Sequence, residues 1–320
     1  MNDESTPKGA LESSTKTTTS SMHDLADIPV STACDPGPTR SRASKIQMGE
    51  RFDALVDIVV DAAPTGVRFV YYRAVSKGIV PKTDNGYKQV QRALMALRES
   101  GRIYWSDIVD SSRWMRKPET WGSLDEMLSD AAASYRRDLW RSSDSRVEVW
   151  CESESVAGVI GPVTFEWDVP LFPIKGQTSA AFAYAAAMQY RGDGRPIVIY
   201  YVGDRDPAGL EIEANLAAKL REYSGRADIK VTRLACTDEQ VAAMQLVGTT
   251  PKKKTWRHPT FGVMPFMGMA VEVEAIDAPV LRSLVATAIE GHIDPRALAL
   301  TRSVEASERD VLRRLIGSAR

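Results

Sequence analysis

Two aspartates in the segment YYVGDRDPAGLEI, residues 200–212, have the type and spacing to bind a metal ion. Asp204 and Asp206 follow a continuous apolar run, and Pro207 and Gly209 come directly after them. Residues two apart in an extended turn point the same way, so both carboxylates can share one ligand. Without a cation they repel each other and the pKa of one rises, whereas a hard ion such as Mg²⁺ removes that cost.

Asp206 also has a purely structural interpretation, so the metal site stays one of two alternatives. An aspartate before a proline is a good helix N-cap, with the proline at the first helical position. A cap explains neither Asp204 nor Gly209, since glycine inside a helix costs about 1 kcal/mol relative to alanine. Gly209 therefore predicts that some group approaches the backbone closely.

The elements around these carboxylates alternate between strands and helices. The predicted strands are RVEVWCE, DVPLFPIKG, PIVIYYVGD and DIKVTRLAC, and the predicted helices are SVAGVIG, SAAFAYAAAMQYR and AGLEIEANLAAKLREY. This alternation predicts βαβ units and a parallel sheet, hence an α/β fold. Glu152 ends the first strand, and ligands bind beyond the carboxyl ends of such strands, so Glu152 can converge with Asp204 and Asp206. A metal ion there could hold a phosphate.

The N-terminal half has a different pattern. Residues 1–45 are rich in Ser, Thr, Pro and Gly and predict a disordered tail. Three predicted helices, RFDALVDIVVDAA, VRFVYYRAVSKG and YKQVQRALMALRESG, precede the β-prone segment RIYWSDIVD. That order is typical of a winged-helix module. A further helix, LDEMLSDAAASYRRDLW, leads out of it.

The glutamate and the two aspartates, in this order, resemble the TOPRIM domain of primases, type IA and II topoisomerases, and overcoming-lysogenization-defect nucleases. In that family a glutamate ends the first strand and a DxD ends a later one, and together they bind Mg²⁺. The resemblance implies Glu152, Asp204 and Asp206 as the metal ligands. Glu152 stands in CESES rather than in the usual Glu-Gly or Glu-Lys, so Glu148 and Glu154 stay open as the ligand.

The DxDPxG form is most similar to the A subunit of topoisomerase VI and the meiotic double-strand-break transesterase. That subunit has a winged helix before its TOPRIM, with a motif of Arg, two residues, an aromatic and the nucleophilic tyrosine. RFVYY, residues 68–72, matches it and implies Tyr72 as the nucleophile beside Arg68. Relatives with this tyrosine act as dimers, which implies a homodimer. No ATP motif such as GxxxxGK[ST] occurs, so any ATPase would be a separate subunit.

The resemblance covers about residues 50–235 and predicts the following division of the chain: a tail at 1–45, a DNA-binding winged helix at 46–118, a linker helix at 119–145, a TOPRIM domain at 146–235 and a C-terminal extension of unassigned role at 236–320.

A helical wheel examines Tyr72 independently of the resemblance. One stripe holds Val67, Val70, Tyr71, Ala74 and Val75. Tyr72 falls outside this stripe, beside Arg68 four residues earlier. The guanidinium favours ionisation of the phenol, whose ordinary pKa is about 10, and can also hold a phosphate. Attack on phosphorus would form a phosphotyrosyl bond. The structural alternative is a partly buried tyrosine with its hydroxyl at the surface.

Charge in residues 64–118 points to DNA. The segment holds eleven basic and four acidic residues in a chain of net charge −1. Such clustering is typical of phosphate contact, although a solvated basic face has the same composition. We predict that Lys82, Lys88, Arg92 and Arg113 contact the DNA backbone.

Two later segments are weaker candidates. PKKKTWRH, residues 251–258, fits either a base-stacking, phosphate-binding loop or an exposed flexible loop, and the second is favoured. The alternation in AVEVEAID places Glu272 and Glu274 on one face of a strand. They could add metal ligands, but a solvated edge strand is the favoured interpretation.

Composition excludes several classes of protein. Three widely spaced cysteines form no CxxC pair, which argues against a zinc ribbon and suits a reducing cytoplasm, at the nucleoid in a prokaryote. No apolar run is long enough for a membrane helix. Three functions follow: cleavage with Tyr72 covalently joined to DNA, metal-dependent hydrolysis of DNA or RNA without Tyr72, and DNA binding without catalysis.

Overall fold

The computed structural model describes residues 45–108, 117–176 and 178–318. These described residues belong to one compact unit. The predicted tail, apart from Lys45, and Arg113 lie outside the described residues. In the described part of the chain, no helix is long and apolar enough to cross a membrane.

Three N-terminal helices form where the apolar periodicity predicts them: α1 (Lys45–Ala62), α2 (Val67–Ser76) and α3 (Asp84–Glu99). Leu55 and Val59 of α1 pack with Val90 and Leu97 of α3 in one hydrophobic cluster. The Thr83 hydroxyl caps α3 by accepting a hydrogen bond from the Gly86 N–H. These helices therefore share a core of their own.

The β element that the sequence predicts after α3, in RIYWSDIVD, forms no regular strand in its described part, residues 102–108. A 3₁₀ turn covers Trp105–Asp107, and Ile108 forms a single parallel bridge with Thr65. The Asp107 carboxylate accepts a hydrogen bond from the Tyr104 N–H at 2.7 Å, which closes the turn and prevents an extended strand there. Residues 109–116 lie outside the described chain.

The α/β prediction is confirmed by a four-stranded parallel sheet in the order β2–β1–β3–β4. Its strands are β1 (Arg146–Cys151), β2 (Leu171–Pro173), β3 (Ile197–Val202) and β4 (Ile229–Arg233). Cys151 of β1 stands opposite Val202 of β3. The carboxyl ends of the two central strands therefore lie at the same level.

Helices cover both faces of the sheet: α5 (Glu154–Glu166), α6 (Ala180–Tyr190), α7 (Pro207–Ser224) and α9 (Ala278–Glu290). Alternate strand residues face opposite ways, so Val147 and Val149 join the cluster of α5 and α9, while Trp150 and Ile199 join that of α6 and α7. Helix α5 extends well beyond the predicted SVAGVIG. The parallel sheet is thus buried on both faces, as its apolar strands require.

The remaining elements are α4 (Leu124–Ser134), α8 (Asp238–Ala243), a hairpin of β5 (Thr255–His258) and β6 (Gly262–Pro265), and α10 (Pro295–Ser318). Helix α4 stops six residues before the predicted end at Trp140, because the Arg137 N–H donates to the Glu305 carboxylate of α10 instead of to a helical carbonyl. A 3₁₀ turn at Val273–Ala275 precedes α9. The segment 251–258, for which a loop was favoured, contains strand β5.

Candidate active site

The carboxyl ends of β1 and β3 bring Glu152 and Asp204 together. The register of Cys151 opposite Val202 puts the residues that follow side by side. The Asp204 N–H donates a hydrogen bond to the Glu152 Oε2 at 3.0 Å. The structure therefore places the two acidic residues, fifty-two apart in the chain, in direct contact.

Asp206 serves as the N-cap of α7, as its structural interpretation predicts. Its Oδ1 accepts a hydrogen bond from the Gly209 N–H at 2.7 Å. A Cβ at Gly209 would stand 2.1 Å from the Asp204 carbonyl oxygen, which real contacts do not allow. The close approach predicted at Gly209 is therefore that of the turn's own backbone.

The Asp204 carboxylate meets a segment that the sequence resemblance did not cover. Its Oδ1 accepts a hydrogen bond from the Val273 N–H at 2.9 Å. Burial, followed by the charge of Glu152, raises the pKa of Asp204 to about 7. A positive charge nearby would favour the ionised form of Asp204.

Arg205, between the two aspartates, attaches this segment to the β3–α7 turn. Its backbone exchanges hydrogen bonds with Val271, at 2.8 Å and 3.0 Å. Its guanidinium donates to the carbonyls of Met269 and Met267, at 2.8 Å and 3.0 Å, and pairs with Asp238. The alternation of DRD thus directs the arginine away from the site while it holds residues 267–273 in place.

Glu272 and Glu274 lie in this site, contrary to the favoured prediction of a solvated edge strand. Val271 forms an isolated bridge with Arg205, and a 3₁₀ turn follows, so no regular strand forms. Glu274 is 5% exposed, and burial raises its pKa to about 7 although the charge of Arg68 opposes the shift. The alternative that the alternation left open, that these carboxylates lie near the metal candidates, is the one the structure supports.

Arg68 links helix α2 to these carboxylates. It forms a hydrogen-bonded ion pair with Glu272, and its Nε lies 3.4 Å from the Glu274 Oε1. Burial would lower the pKa of Arg68, but Glu274 and Glu272 outweigh it and the pKa rises. Arg73 of the same helix pairs with Asp277 at 2.9 Å.

Tyr72 is buried, so the prediction that it lies off the buried face was wrong. Only 5% of it is exposed, and the Lys82 ammonium lies 4.8 Å from its ring centre. The wheel of an isolated helix could not include this cover or the charge of the nearby Glu272 carboxylate. Burial, and then the charge of Glu272, raises the pKa of Tyr72, which opposes ionisation.

The two alternative glutamates separate clearly. Glu148 is fully buried in the other layer, where it accepts hydrogen bonds from the Trp150 indole at 3.0 Å and the Tyr190 hydroxyl at 2.5 Å. Glu154 lies at the site and pairs with Lys175 at 3.0 Å. Glu148 lies within β1 rather than beyond its carboxyl end, and its bonds to Trp150 and Tyr190 give it a structural role.

Asp204 lines two cavities. One of about 370 Å³ is also lined by Arg68, Glu152, Glu154, Lys175 and Glu274. The other, of about 750 Å³, is also lined by Asp206 and Glu272. Carboxylates and cations therefore face the same small cavity, which suits an anionic group held beside a metal ion.

The donor set fits a divalent cation in its chemistry. Glu152, Asp204 and Asp206 each use one oxygen to accept a backbone N–H, and the second oxygen accepts no hydrogen bond from any described residue. Hard carboxylate oxygens are the ligands of Mg²⁺. Across residues 45–108, 117–176 and 178–318, however, no three His, Cys, Asp or Glu side chains are grouped so that they could hold an ion. The carboxylates are therefore not a preformed metal cage.

The predicted DNA-contacting residues are not all equivalent. Lys88 and Arg92 are exposed on α3. Lys82 is partly buried and donates to the Val247 carbonyl at 2.9 Å, and burial lowers its pKa. Two of the four thus lie on an open face, Lys82 does not, and Arg113 lies outside the described residues.

The sequence matches no protein-family model, and no curated protein is significantly similar to it. The resemblance to TOPRIM proteins therefore depends on the motifs and the site described above.

Proposed function

We propose that the protein cleaves DNA phosphodiester bonds with Mg²⁺, as a TOPRIM-type enzyme preceded by a winged-helix module. The observation that carries this proposal is the convergence of Glu152, Asp204 and Glu274 with Arg68 and Lys175 on one cavity. The parallel sheet, with its acidic turn at the carboxyl end of β3, supports the TOPRIM assignment. The three helices α1–α3 support the winged helix.

Glu152, Asp204 and Asp206 would hold Mg²⁺, and Glu274 lies close enough to contribute charge. When bound, the ion would stabilise negative charge on the phosphate and its leaving oxygen. Arg68 and Lys175 would bind the non-bridging phosphate oxygens through charge-assisted hydrogen bonds. Both cations are at present paired with glutamates, Glu272 and Glu154 respectively. Phosphate binding would exchange those partners.

In the first mechanism, the Tyr72 hydroxyl attacks phosphorus. Its proton passes to the Glu272 carboxylate, the bond from phosphorus to the leaving oxygen breaks, and that oxygen takes the electron pair and a proton from solvent. The nearby Glu272 carboxylate, whose charge acts on the Tyr72 hydroxyl, supports this assignment of acceptor. The buried ring must first become accessible to the phosphate.

In the second mechanism, water attacks phosphorus and Tyr72 has a packing role. The burial of Tyr72 and its raised pKa favour this alternative, since neither favours a nucleophile. Both cavities at Asp204 admit water to the carboxylates without any movement of α2.

A plasmid assay tests the proposal and separates the two mechanisms. Internally labelled supercoiled plasmid is incubated with Mg²⁺ and wild type, Tyr72→Phe, Asp204→Ala, or the neighbouring control Tyr71→Phe. We expect Asp204→Ala to lower nicking at least 100-fold, because the metal site loses a central ligand. Loss of both nicks and protein-bound label in Tyr72→Phe, with both retained in Tyr71→Phe, would identify the covalent mechanism. Nicking by Tyr72→Phe without protein-bound label would identify hydrolysis.

Nicking unaffected by Asp204→Ala would disprove the proposal. Failure of wild type to cut either the plasmid or RNA would also disprove the proposal and would leave DNA binding without catalysis as the remaining hypothesis. Homodimerisation and a separate ATPase subunit stay predictions of the resemblance.

A further inference from the structure

The cleft of about 750 Å³ beside the acidic site has a second kind of lining. Asp204, Asp206, Glu211 and Glu272 contribute its carboxylates, while Lys252, Lys253 and Arg257 contribute cations. Trp256 adds an aromatic surface. One cleft therefore joins the candidate metal ligands to a cationic and aromatic segment.

This segment is built into the fold. The Arg257 N–H approaches the Glu211 carboxylate of α7 at 3.4 Å. The Phe266 N–H donates to the Lys254 carbonyl, and Thr249 pairs with Ala270 through two backbone hydrogen bonds, all at 2.8 Å. Strands β5 and β6 pair from Thr255 to Pro265. The cations thus project from a hairpin that is anchored next to the β3–α7 turn.

The cations of the cleft are available for a ligand. Lys252, Lys253 and Arg257 are exposed, and no carboxylate of the described residues lies within ion-pair distance of them. Arg68, Arg205 and Arg233, in contrast, each pair with a carboxylate. An anionic ligand could therefore bind these unpaired cations in the same cleft that the acidic site lines.

The size of the cleft limits the ligand. Its volume falls within the range of about 300–1,000 Å³ that is typical of small-molecule pockets, so it suits nucleotide-sized groups rather than a duplex. Trp256 is half-buried, and its ring contacts His258 edge-on with the ring centres 5.7 Å apart. A base can stack on such an aromatic side chain only when it is unpaired.

We propose that this cleft binds one unpaired nucleic-acid strand and leads its backbone to the acidic site. Lys252, Lys253 and Arg257 contact successive phosphates, and Trp256 stacks on a base. The role of the cleft in leading a strand to the acidic site rests on the proposed function, but strand binding itself requires no cleavage.

The test measures binding in EDTA, where no metal-dependent cleavage occurs. Fluorescence anisotropy follows a labelled oligothymidylate, a duplex of equal length and an oligouridylate. We expect Lys252→Gln/Lys253→Gln to weaken single-strand binding about tenfold and to reduce the slope of log affinity against log salt by about 1.4, since each phosphate contact contributes about 0.7. Lys254→Gln is the matched control, because Lys254 adjoins this pair in sequence but does not line the cleft.

Trp256→Ala is expected to weaken single-strand binding about tenfold, while Trp256→Phe retains most of it, because phenylalanine still stacks. The inference is overturned if wild type binds no single strand. It is equally overturned if the Lys252/Lys253 variant binds as Lys254→Gln does, or if the duplex loses as much affinity as the single strand. Single-strand binding that depends on these residues in a protein that never cuts would refute the proposed function and leave the cleft assignment intact.

Discussion

Asp204 is the residue on which the site depends. Its carboxylate accepts a hydrogen bond from the Val273 N–H, and its own N–H donates one to Glu152. Asp204 also lines both cavities. Its pKa is raised to about 7, first by burial and then by Glu152. A carboxyl with a raised folded-state pKa destabilises the fold once it ionises. The site therefore stores unfavourable charge that a cation would relieve.

The residue-scale prediction concerns stability against pH in EDTA. Below about pH 4 the Asp204 carboxyl is protonated in both states, and as the pH rises toward 7 the unfolded state loses its proton first, so the free energy of unfolding falls. We expect Asp204→Asn to remove the part of that fall due to Asp204, while Glu274, whose pKa is also raised, keeps its own part. The unfolding free energy of Asp204→Asn should exceed that of wild type by on the order of 4 kcal/mol at pH 8 and match it near pH 4.

Urea denaturation across this pH range measures the difference. The exposed Asp57→Asn on α1 is the control and should follow wild type throughout. If the unfolding free energy of Asp204→Asn depended on pH as that of wild type does, the assignment of unfavourable charge to Asp204 would be contradicted.

At the scale of elements, the β3–α7 turn positions the acidic residues. Asp206 caps the helix, Arg205 binds the segment 267–273, and the Arg233 guanidinium donates to the carbonyls of Gly203 and Asp204, at 2.7 Å and 3.0 Å. Gly209 permits the helix backbone to lie against the Asp204 carbonyl. The metal candidates are therefore held by a tight turn rather than by a loop.

Gly209→Ala should distort this turn. The added methyl would meet backbone, which cannot move aside as a flexible side chain can, so we expect a loss of about 1–3 kcal/mol of unfolding free energy. Gly192→Ala is the matched control, since nothing lies within 4 Å of its added Cβ, and it should change stability by less than about 0.5 kcal/mol. Equal stability of the two variants would show that the turn relaxes freely.

At the scale of the whole molecule, helix α2 and the acidic site meet within one chain. Arg68 pairs with Glu272 and Glu274, Arg73 pairs with Asp277, and the Arg282 guanidinium donates to the carbonyls of Ala62 and Pro64. The contacts join the N-terminal helices to the C-terminal region that the resemblance did not cover. A dimer is thus not required to bring Arg68 to the carboxylates.

Mixing two inactive variants tests this arrangement. Arg68→Ala and Asp204→Ala are co-expressed with different tags and purified through both, so that any dimer contains one of each. We expect no nicking, since each chain lacks one part of its own site. Activity above that of either variant alone would mean that each site combines residues of two chains, as the resemblance to dimeric relatives implies.

Local pattern was sufficient for the elements of the sheet. The four strands, the helices α6 and α7, and the cap at Asp206 depend on apolar periodicity and on short-range backbone chemistry, which a single sequence displays. The convergence of Glu152 with Asp204 followed from parallel strands ending at one edge. These features were predictable because each involves neighbours in the chain or the regular geometry of a parallel sheet.

The surroundings of the site result from contacts between residues far apart in the chain. Glu274 is buried and Tyr72 is covered because residues 204 positions apart, Arg68 and Glu272, are brought into contact. The basic segment 252–257 became the lining of a cleft because its hairpin packs beside α7. Such contacts depend on how separate elements pack, so no local periodicity encodes them. Local sequence pattern thus specifies the sheet and its acidic edge, whereas long-range packing determines which cations, carboxylates and aromatic rings surround that edge.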